Sequence, residues 1–350
     1  MKVFIALLLI ACTGASTSAA SAQIAADRIK LQLNTEEAEA VLAIVSQHSL
    51  GKAVAESDWQ RLFKTEPYIR LKQREASMKR EFTDDDFKKF ALSDELGKHA
   101  VKRQQTLDAW KRADLAGAAR RILPYLPERA TIHAKVFPVI KPQTNSFVWD
   151  LKSDPTIFLY LDPAISQEKF ENTVAHEMHH IGFSTVEHES ESRYKDLPAN
   201  VKETLEWMGG FGEGFAMLAA AGSPDVHPHA ASSAEERERW DHDMANFNQD
   251  LKTVEKFFLD ILDGRLKTEQ EMNEVGSSFF GVQGPWYTVG YKIAVVIEKR
   301  YGRAVLIDCM QDPRLLILRY NAAASDINKS GKETLVLWSP ELVHKIGTPP

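Results

Sequence analysis

The segment FENTVAHEMHHIGF, residues 170–183, restricts the fold of this chain more than any other stretch. Its apolar residues recur at the spacing of one helical stripe, the face that packs on a core: Phe170, Val174, Met178 and Ile181. His176 and His180 lie together on another face, about 6 Å apart along the helix axis and about 40° apart around it. The fold must therefore bury one face of this helix and keep the two imidazoles together on the other.

Residues 176–180 form the pattern HExxH. A histidine pair at this spacing supplies two of the three protein ligands of a zinc site, with nitrogens about 2.0–2.1 Å from the ion. Glu177 lies on the flank of the same face, where it suits a general base that acts on water beside the metal. His179 turns away from the pair, and we expect it to be a packing or solvated residue. The pattern predicts Zn²⁺ held by His176 and His180.

The third ligand decides the kind of zinc site. The extended pattern HExxHxxGxxH would need glycine and histidine at two later positions, where the chain has Phe183 and Val186, so that class is excluded. Further along, Glu213 begins a segment of small residues that lets helices approach closely, which a short glutamate side chain needs to reach an ion on a neighbouring helix. Glu213 is therefore the predicted third ligand. The alternatives are Glu203, Glu206 and His188.

At these residues the chain resembles the gluzincin metallopeptidases, whose third zinc ligand is a helical glutamate. Residues 213–216, E-G-F-A, look like a motif of the aminopeptidase branch of that group. In character the chain is closer to exported bacterial proteins described as zinc-dependent peptidases of unassigned substrate. The resemblance extends over residues 155–300 in three ordered motifs. It implies a zinc cofactor, a peptide or protein substrate, and hydrolysis of peptide bonds by a metal-activated water with Glu177 as general base.

The last of these motifs begins at Tyr287. Its Y-x-x-G segment, residues 287–290, is similar to the one that bears the catalytic tyrosine of the aminopeptidase branch. The resemblance implies that the Tyr287 hydroxyl donates a hydrogen bond to the oxyanion of the tetrahedral intermediate. Tyr291, about one turn further along the predicted helix, is the competing ring. Tyr287 is therefore the second predicted catalytic residue, beside Glu177.

Several departures from the aminopeptidase pattern bear on the expected activity. Thirty-two residues separate His180 from Glu213, a longer connection than in that branch, and Trp286 directly precedes Tyr287. The G-x-M-E-N strand motif that grips the free amine of a substrate is absent. Met217 stands where thermolysin-like enzymes place a carboxylate that orients a ligand. The sequence therefore leaves the choice between endopeptidase and exopeptidase open.

The predicted fold class is α+β, mainly helical, with a gluzincin-like catalytic domain. Residues 28–130 are predicted to form helices that carry many charged residues. Asn34, followed three residues later by Glu37, has the pattern of a capping box at the start of one of them. These residues are expected to form an N-terminal helical region before the domain that carries the HExxH helix.

A small sheet is predicted between residues 131 and 162. Three short β-rich runs occur there, separated by Lys-Pro and Ser-Asp-Pro turn signals. The helical period then returns, and Ser166 is the predicted N-cap of the HExxH helix. We expect that helix to lie beneath the sheet, with the helices that carry Glu213 and Tyr287 on its far side.

The N-terminus has the pattern of an export signal. A lysine and a short apolar run precede Ala20-Ser21-Ala22, a cleavage pattern before Gln23, and the run is too short to span a bilayer. The expected protein is periplasmic or secreted, with no transmembrane helix in the mature chain. The alternative is a lipoprotein anchored through Cys12. The predicted organisation is residues 1–22 signal peptide, 23–130 N-terminal helical region and 131–350 zinc metallopeptidase-like catalytic domain.

Composition limits the partners of this chain. The formal net charge is −6 and no run of lysine or arginine occurs, which argues against a nucleic-acid partner. The sequence does not fix an oligomeric state. After export at most Cys309 remains of the two cysteines, so no intramolecular disulfide is expected. Cys309 lies in a helical apolar run and is predicted to be an inert core thiol.

Further histidines and tryptophans have less specific patterns. His227 and His229 are predicted to lie on a solvated loop. His242, between two aspartates, indicates a polar helix face more than a second metal site. Trp207 and Trp286 flank the two downstream motifs, and core packing is the expected role of both.

Two other functions stay open from the sequence. One is a zinc hydrolase of esters or small amides. The other is a zinc-binding or partner-binding module without turnover. The presence of both Glu177 and Tyr287 favours turnover, because a structural zinc site needs neither residue.

Overall fold

The computed structural model describes residues 27–186, 194–331 and 333–347. The predicted signal peptide, Cys12 and the alternative ligand His188 lie outside the described residues. Within the described ranges, no helix combines the length and the apolar character needed to cross a membrane.

A four-stranded sheet forms one layer of the fold. In chain order its strands are β1 Ile29–Leu33, β2 Ile132–Val139, β3 Phe147–Trp149 and β4 Thr156–Tyr160. Their spatial order is β1-β2-β4-β3, in which β1, β2 and β4 run parallel and β3 pairs antiparallel to β4. Most side chains of β2 and β4 are buried, as expected for parallel strands covered on both faces. The three β-rich runs of the sequence therefore form strands as predicted.

Helices make up most of the remaining described chain. In chain order they are α1 Glu36–Ser49, α2 Glu56–Phe63, α3 Glu66–Ser77, α4 Asp84–Ala91, α5 Asp94–Lys98, α6 Ala100–Trp110, α7 Leu115–Ile122, α8 Gln167–Ser184, α9 Ala199–Met208, α10 Gly212–Ala221, α11 Ala234–Met244, α12 Phe247–Leu262, α13 Glu269–Gly276, α14 Pro285–Tyr301, α15 Arg303–Gln311, α16 Pro313–Ser330 and α17 Pro340–Ile346. Short 3₁₀ helices span Leu123–Tyr125, Gly209–Phe211 and Ser277–Phe280.

The edge strand β1 contradicts the prediction that residues 28–130 are helical. Ile29 pairs with Ile132 and Leu33 with Val136 in parallel register. The sequence IKLQL alternates apolar and polar residues, which is the period of a half-buried strand. The run is only five residues long, so pairing with a strand far along the chain decides its conformation.

The capping box predicted from Asn34 and Glu37 is wrong. Helix α1 begins at Glu36 after Thr35, which makes no side-chain capping hydrogen bond. The Glu37 side chain is instead fully buried and accepts a hydrogen bond from the backbone N–H of Ile140 at 2.9 Å. This bond ties the start of α1 to the end of β2.

Replacing Glu37 by glutamine is expected to stabilise the protein at alkaline pH. Burial raises the pKa of Glu37 from 4.5 to about 8, against the opposing effects of the Ile140 N–H and Lys141. Because the folded-state pKa lies above the unfolded one, the stabilising effect of the bound proton is complete below pH 4.5 and is lost as the pH rises through about 8. Glutamine still accepts from Ile140 and never ionises.

Urea unfolding at pH 5 and pH 9 checks this expectation. The gain in unfolding free energy of Glu37→Gln over the wild type should grow between the two pH values by a few kcal/mol, the order set by the pKa shift. Glu36→Gln is the matched control, because Glu36 is the exposed neighbour on the same turn. A gain that does not change with pH would contradict the assignment of a buried, protonated Glu37.

Three helices stack outward from the sheet and position the predicted site residues. Helix α8 carries HExxH and packs on β2, α10 carries Glu213 and packs on α8, and α14 carries Tyr287 and packs on α10. One hydrophobic cluster runs from Ala38 in α1 to Ile346 in α17 and includes residues of these layers. The α+β, mainly helical fold class is thus confirmed. The domain boundary at residue 130 stays a prediction.

Candidate metal centre

The HExxH helix α8 forms as its sequence predicts. Ser166 is the N-cap, and its side chain accepts a hydrogen bond from the backbone N–H of Lys169 at 3.1 Å. The predicted apolar stripe is buried in full: Phe170, Val174, Met178 and Ile181. Packing of this stripe on the core leaves the side chains of His176 and His180 on the side where α10 approaches.

Two glycines set the close approach of α10 to α14. A Cβ atom at Gly214 would lie 2.0 Å from the backbone nitrogen of Tyr291, and one at Gly290 would lie 2.7 Å from the carbonyl oxygen of Phe211. No side chain larger than hydrogen fits either position without separating the helices. These glycines belong to the E-G-F-A and Y-x-x-G motifs, so both motifs mark the same helix contact. The contact brings Glu213 and Tyr287 to the same end of the pair.

Three ligand atoms meet between α8 and α10. His176 Nε2 lies 3.1 Å from Glu213 Oε2 and 3.2 Å from His180 Nε2, and His180 Nε2 lies 3.4 Å from Glu213 Oε2. Ligands about 2.0–2.1 Å from a tetrahedral ion lie about 3.3–3.4 Å from one another, so the three atoms fit zinc. In the described parts of the chain, no other group of three or more His, Cys, Asp or Glu residues is placed to hold an ion in this way.

The charge state of Glu213 matches that of a metal ligand. Burial would raise the pKa of Glu213, but hydrogen bonds and charge from His176 and His180 outweigh it and lower the pKa well below its usual range. Burial likewise would lower the pKa of His180, yet Glu213 raises it. The carboxylate is therefore ionised, as a zinc ligand must be.

Glu177 lies beside these three residues and is not one of them. Its side chain is half-buried and lines a cavity of about 380 Å³ together with His180 and Glu213. Its negative charge also raises the pKa of Tyr287, which puts the two side chains within electrostatic reach. The position suits a base that acts on a water molecule held in the cavity.

Tyr287 lies beside His176, one of the three predicted ligands. Its ring stacks on the imidazole of His176, with 6.3 Å between centroids and 18° between planes. Burial, followed by the carboxylates of Glu213 and Glu177, raises its pKa, so the hydroxyl keeps its proton. The structure thus brings together all five predicted site residues.

Tyr291, the competing ring, faces away from this group. Its hydroxyl donates to the carbonyl oxygen of Val226 at 3.4 Å, and its ring packs edge-on against Trp240. It is buried, as expected for a tyrosine that packs α14 on its neighbours. Of the two candidate tyrosines, Tyr287 is the one beside the ligand atoms.

The other candidate carboxylate ligands lie elsewhere on α9. The pKa of Glu203 is raised, chiefly by burial and further by the negative charges of Glu206 and Glu269. Glu206 lines a second cavity of about 410 Å³. Neither of the two joins the group formed by the histidines of α8.

His179 is a packing residue, one of the two roles expected of it. It is buried, and burial together with the two neighbouring histidines lowers its pKa to about 3, so it is neutral. Trp286 is also buried, with Nε1 donating to the carbonyl oxygen of Gly276 at 2.9 Å, and it stacks on Trp207. Cys309 is buried as well, which raises its pKa to about 12. The core roles expected of these residues are confirmed.

The prediction that His229 lies on a solvated loop is wrong. The ring is buried, its Nδ1 lies 3.1 Å from Ser232 Oγ, and its Nε2 lies 3.2 Å from Gln283 Nε2. Burial, then the charge of Lys169, lowers its pKa to about 4. His227 is more exposed and pairs with Asp241. The proline and small polar residues of this loop indicate exposure, but they do not predict the tertiary contacts that bury the His229 ring.

Comparison with known proteins agrees with this geometry at the level of the family. Residues 59–329 match a family model described as "Putative zinc dependent peptidase (DUF5700)". No curated protein and no solved structure matches the chain. Zinc is the cofactor that this family description names, and it is the ion that the three ligand atoms fit. The chain therefore belongs to this family of zinc-dependent peptidases.

Proposed function

We propose that the protein is a gluzincin-type zinc metallopeptidase that hydrolyses peptide bonds, with His176, His180 and Glu213 as the zinc ligands. The observation that carries the proposal is the spacing of 3.1–3.4 Å among the three ligand atoms, with Glu177 and Tyr287 beside them. A site that only held zinc would need neither flanking group.

Each residue of the site has a separate task in this proposal. When bound, zinc supplies Lewis-acid chemistry, in that it acidifies water and polarises the carbonyl of the peptide bond. Glu177 takes a proton from the attacking water and returns it to the leaving amine. The Tyr287 hydroxyl donates a hydrogen bond to the carbonyl oxygen as negative charge develops on it. Glu213 stays ionised and holds its place through the contact of α10 with α14.

The likeness to the aminopeptidase branch supports the gluzincin assignment through two motifs. Gly214 and Gly290 give E-G-F-A and Y-x-x-G one shared physical reason, the close packing of α10 on α14. The assignment extends to the arrangement of ligand and tyrosine. It does not extend to recognition of a free amine, because the chain lacks the strand motif for that task.

Incubation of the purified, zinc-loaded protein with a peptide library, followed by mass spectrometry, tests the proposal. New fragments that appear with the wild type and disappear with a chelator are the expected result. A parallel panel of esters and small amides tests the second candidate, a hydrolase of small substrates. Stoichiometric zinc with no cleavage in either panel would contradict both and leave a binding module.

Tyr287→Phe is expected to lower kcat by about 10²–10³-fold, the usual cost of losing one donor to an oxyanion. The raised pKa of Tyr287 means that the hydroxyl is protonated at working pH and can donate. Zinc content should not change, because the removed oxygen is not a ligand. The measurement is steady-state kinetics on a cleaved peptide, with metal analysis of both proteins.

Tyr291→Phe is the matched control for that variant. It makes the same change on the same helix, at a hydroxyl whose partner is a backbone carbonyl remote from the ligand atoms. Near-normal kcat in Tyr287→Phe together with a loss in Tyr291→Phe would show that the other ring is the donor.

We also propose that the protein is exported, with cleavage before Gln23 and release into the periplasm or medium. The A-x-A pattern supports this. N-terminal sequencing of the protein from a culture fractionated by compartment is expected to begin at Gln23. Partition into detergent that Cys12→Ser abolishes would instead support the lipoprotein alternative.

A further inference from the structure

An apolar cavity of about 380 Å³ opens directly beside the ligand atoms. Glu177, His180 and Glu213 line one side of it. Apolar side chains from five helices line most of the rest: Phe183, Met208, Phe215, Met310, Pro313 and Leu316. The volume falls within the usual range of ligand sites, about 300–1,000 Å³. A group that binds here lies next to the bond on which the site acts.

Two glycines keep this cavity open. Gly209 and Gly212 both line it, and both have the ordinary backbone of a right-handed helix, with φ of −56° and −52°. A Cβ atom at either position would meet no atom within 4 Å. Neither backbone conformation nor packing therefore requires glycine at these positions.

The other two glycines of the same segment are different. A Cβ atom at Gly210 would lie 2.5 Å from the ring of Trp286, and Gly214 lies against the backbone of α14. Those two positions are fixed by packing, whereas any side chain at Gly209 or Gly212 would project toward space that the cavity provides. The consequence of having glycine at these two positions is room beside the ligand atoms.

We propose that this cavity binds a bulky apolar side chain of the substrate, adjacent to the scissile bond, and that Gly209 and Gly212 determine this preference. The inference rests on the proposed peptidase function. An apolar side chain loses no hydrogen bond on entering, whereas a charged or amide side chain would lose its water against walls that are mostly apolar. A small side chain would leave much of the volume without contacts.

A second cavity continues the first. It has a volume of about 410 Å³ and shares part of its wall with the first: Phe183, Gly209, Met310 and Pro313. Beyond that wall most of the lining side chains are polar, among them Lys195, Lys202 and Glu206. The cleft therefore extends past the pocket for one side chain, which favours a peptide over a small ester.

Gly209→Leu tests the inference by filling the cavity. For peptides with phenylalanine or leucine beside the cleaved bond, kcat/KM relative to alanine peptides is expected to fall about 10–100-fold, the scale on which one or two methylene groups discriminate in an apolar pocket. Zinc content is expected to stay unchanged. Gly97→Leu is the matched control, since it makes the same change in α5, outside both cavities.

Met310→Asp tests the inference by placing a negative charge on the wall that the two cavities share. Met310 is partly exposed and lines both cavities, so the substitution does not bury a charge in the core. The expected result is a shift of the preferred residue from apolar toward lysine and arginine. A fragment pattern that stays unchanged in both Gly209→Leu and Met310→Asp would overturn the inference.

Binding to the metal-depleted protein gives a measure that needs no turnover. Fluorescence anisotropy compares labelled, terminally blocked pentapeptides with phenylalanine, leucine or alanine at the centre. Tighter binding of the first two, lost in Gly209→Leu, supports the pocket, and equal binding of all three overturns it. Absence of cleavage in the wild type would contradict the proposed function alone, since the binding comparison still decides the pocket.

Discussion

Glu177→Gln is expected to lower kcat by about 10²–10⁴-fold, the usual contribution of a positioned general base, while the protein keeps its zinc. Glutamine has nearly the same shape as glutamate and can hold a water molecule, but it cannot take a proton. Glu177 lines the cavity next to His180 and Glu213 and does not belong to the group of three ligand atoms. The loss should therefore appear in turnover and not in metal content.

The measurement combines steady-state kinetics on a peptide that the wild type cleaves with metal analysis of each protein. Glu168→Gln is the matched control, because Glu168 is an exposed residue in the first turn of the same helix. Loss of zinc from Glu177→Gln would mean that this carboxylate is itself a ligand. Unchanged turnover would remove it from the mechanism.

The part of the site on α8 could be predicted because it is local. Spacing within one helix decides both which residues are buried and which share the opposite face, and the four apolar positions of the HExxH segment are buried accordingly. Glu213 was harder to predict, since it lies on another helix. Its signal was the run of small residues that follows it.

The physical reason for that signal is visible only in three dimensions. Gly214 touches the backbone of α14, and Gly290 on α14 touches the end of the segment before α10. A sequence shows that both positions are glycine, but not that they meet. The roles of Gly209 and Gly212 could not be predicted either, because a sequence does not distinguish a glycine that leaves a cavity open from a glycine that allows two helices to touch.

The errors in the predicted fold have one cause, which is pairing between distant segments. Strand β1 forms because β2 lies beside it, and Glu37 is buried because the N–H of Ile140 needs an acceptor where β2 ends. Local sequence patterns predicted a helix where β1 forms and a capping role for Glu37. Both patterns describe what a segment prefers alone, and tertiary contacts outweighed them here.

Glu213→Ala is expected to weaken zinc binding by more than about 100-fold, since even the loss of a group that only orients a ligand costs about 10–100-fold in affinity. The carboxylate supplies one of three protein ligand atoms, and alanine leaves only the two imidazoles of α8. Peptide hydrolysis should fall with the zinc content and recover in part at high zinc concentration. The measurement is zinc titration against a competing chelator.

Glu203→Ala and Glu206→Ala are the matched controls, because they remove the two carboxylates that the sequence offered as alternatives. Both residues are on α9, outside the group of ligand atoms, and Glu203 is influenced mainly by burial and by Glu206. Zinc affinity close to the wild type is the expected result for both. Full zinc occupancy in Glu213→Ala, with loss of zinc in either control, would move the third ligand to α9. The contact between Gly214 and Gly290 would then need another explanation, because Glu213 would no longer be the group that it brings to the metal.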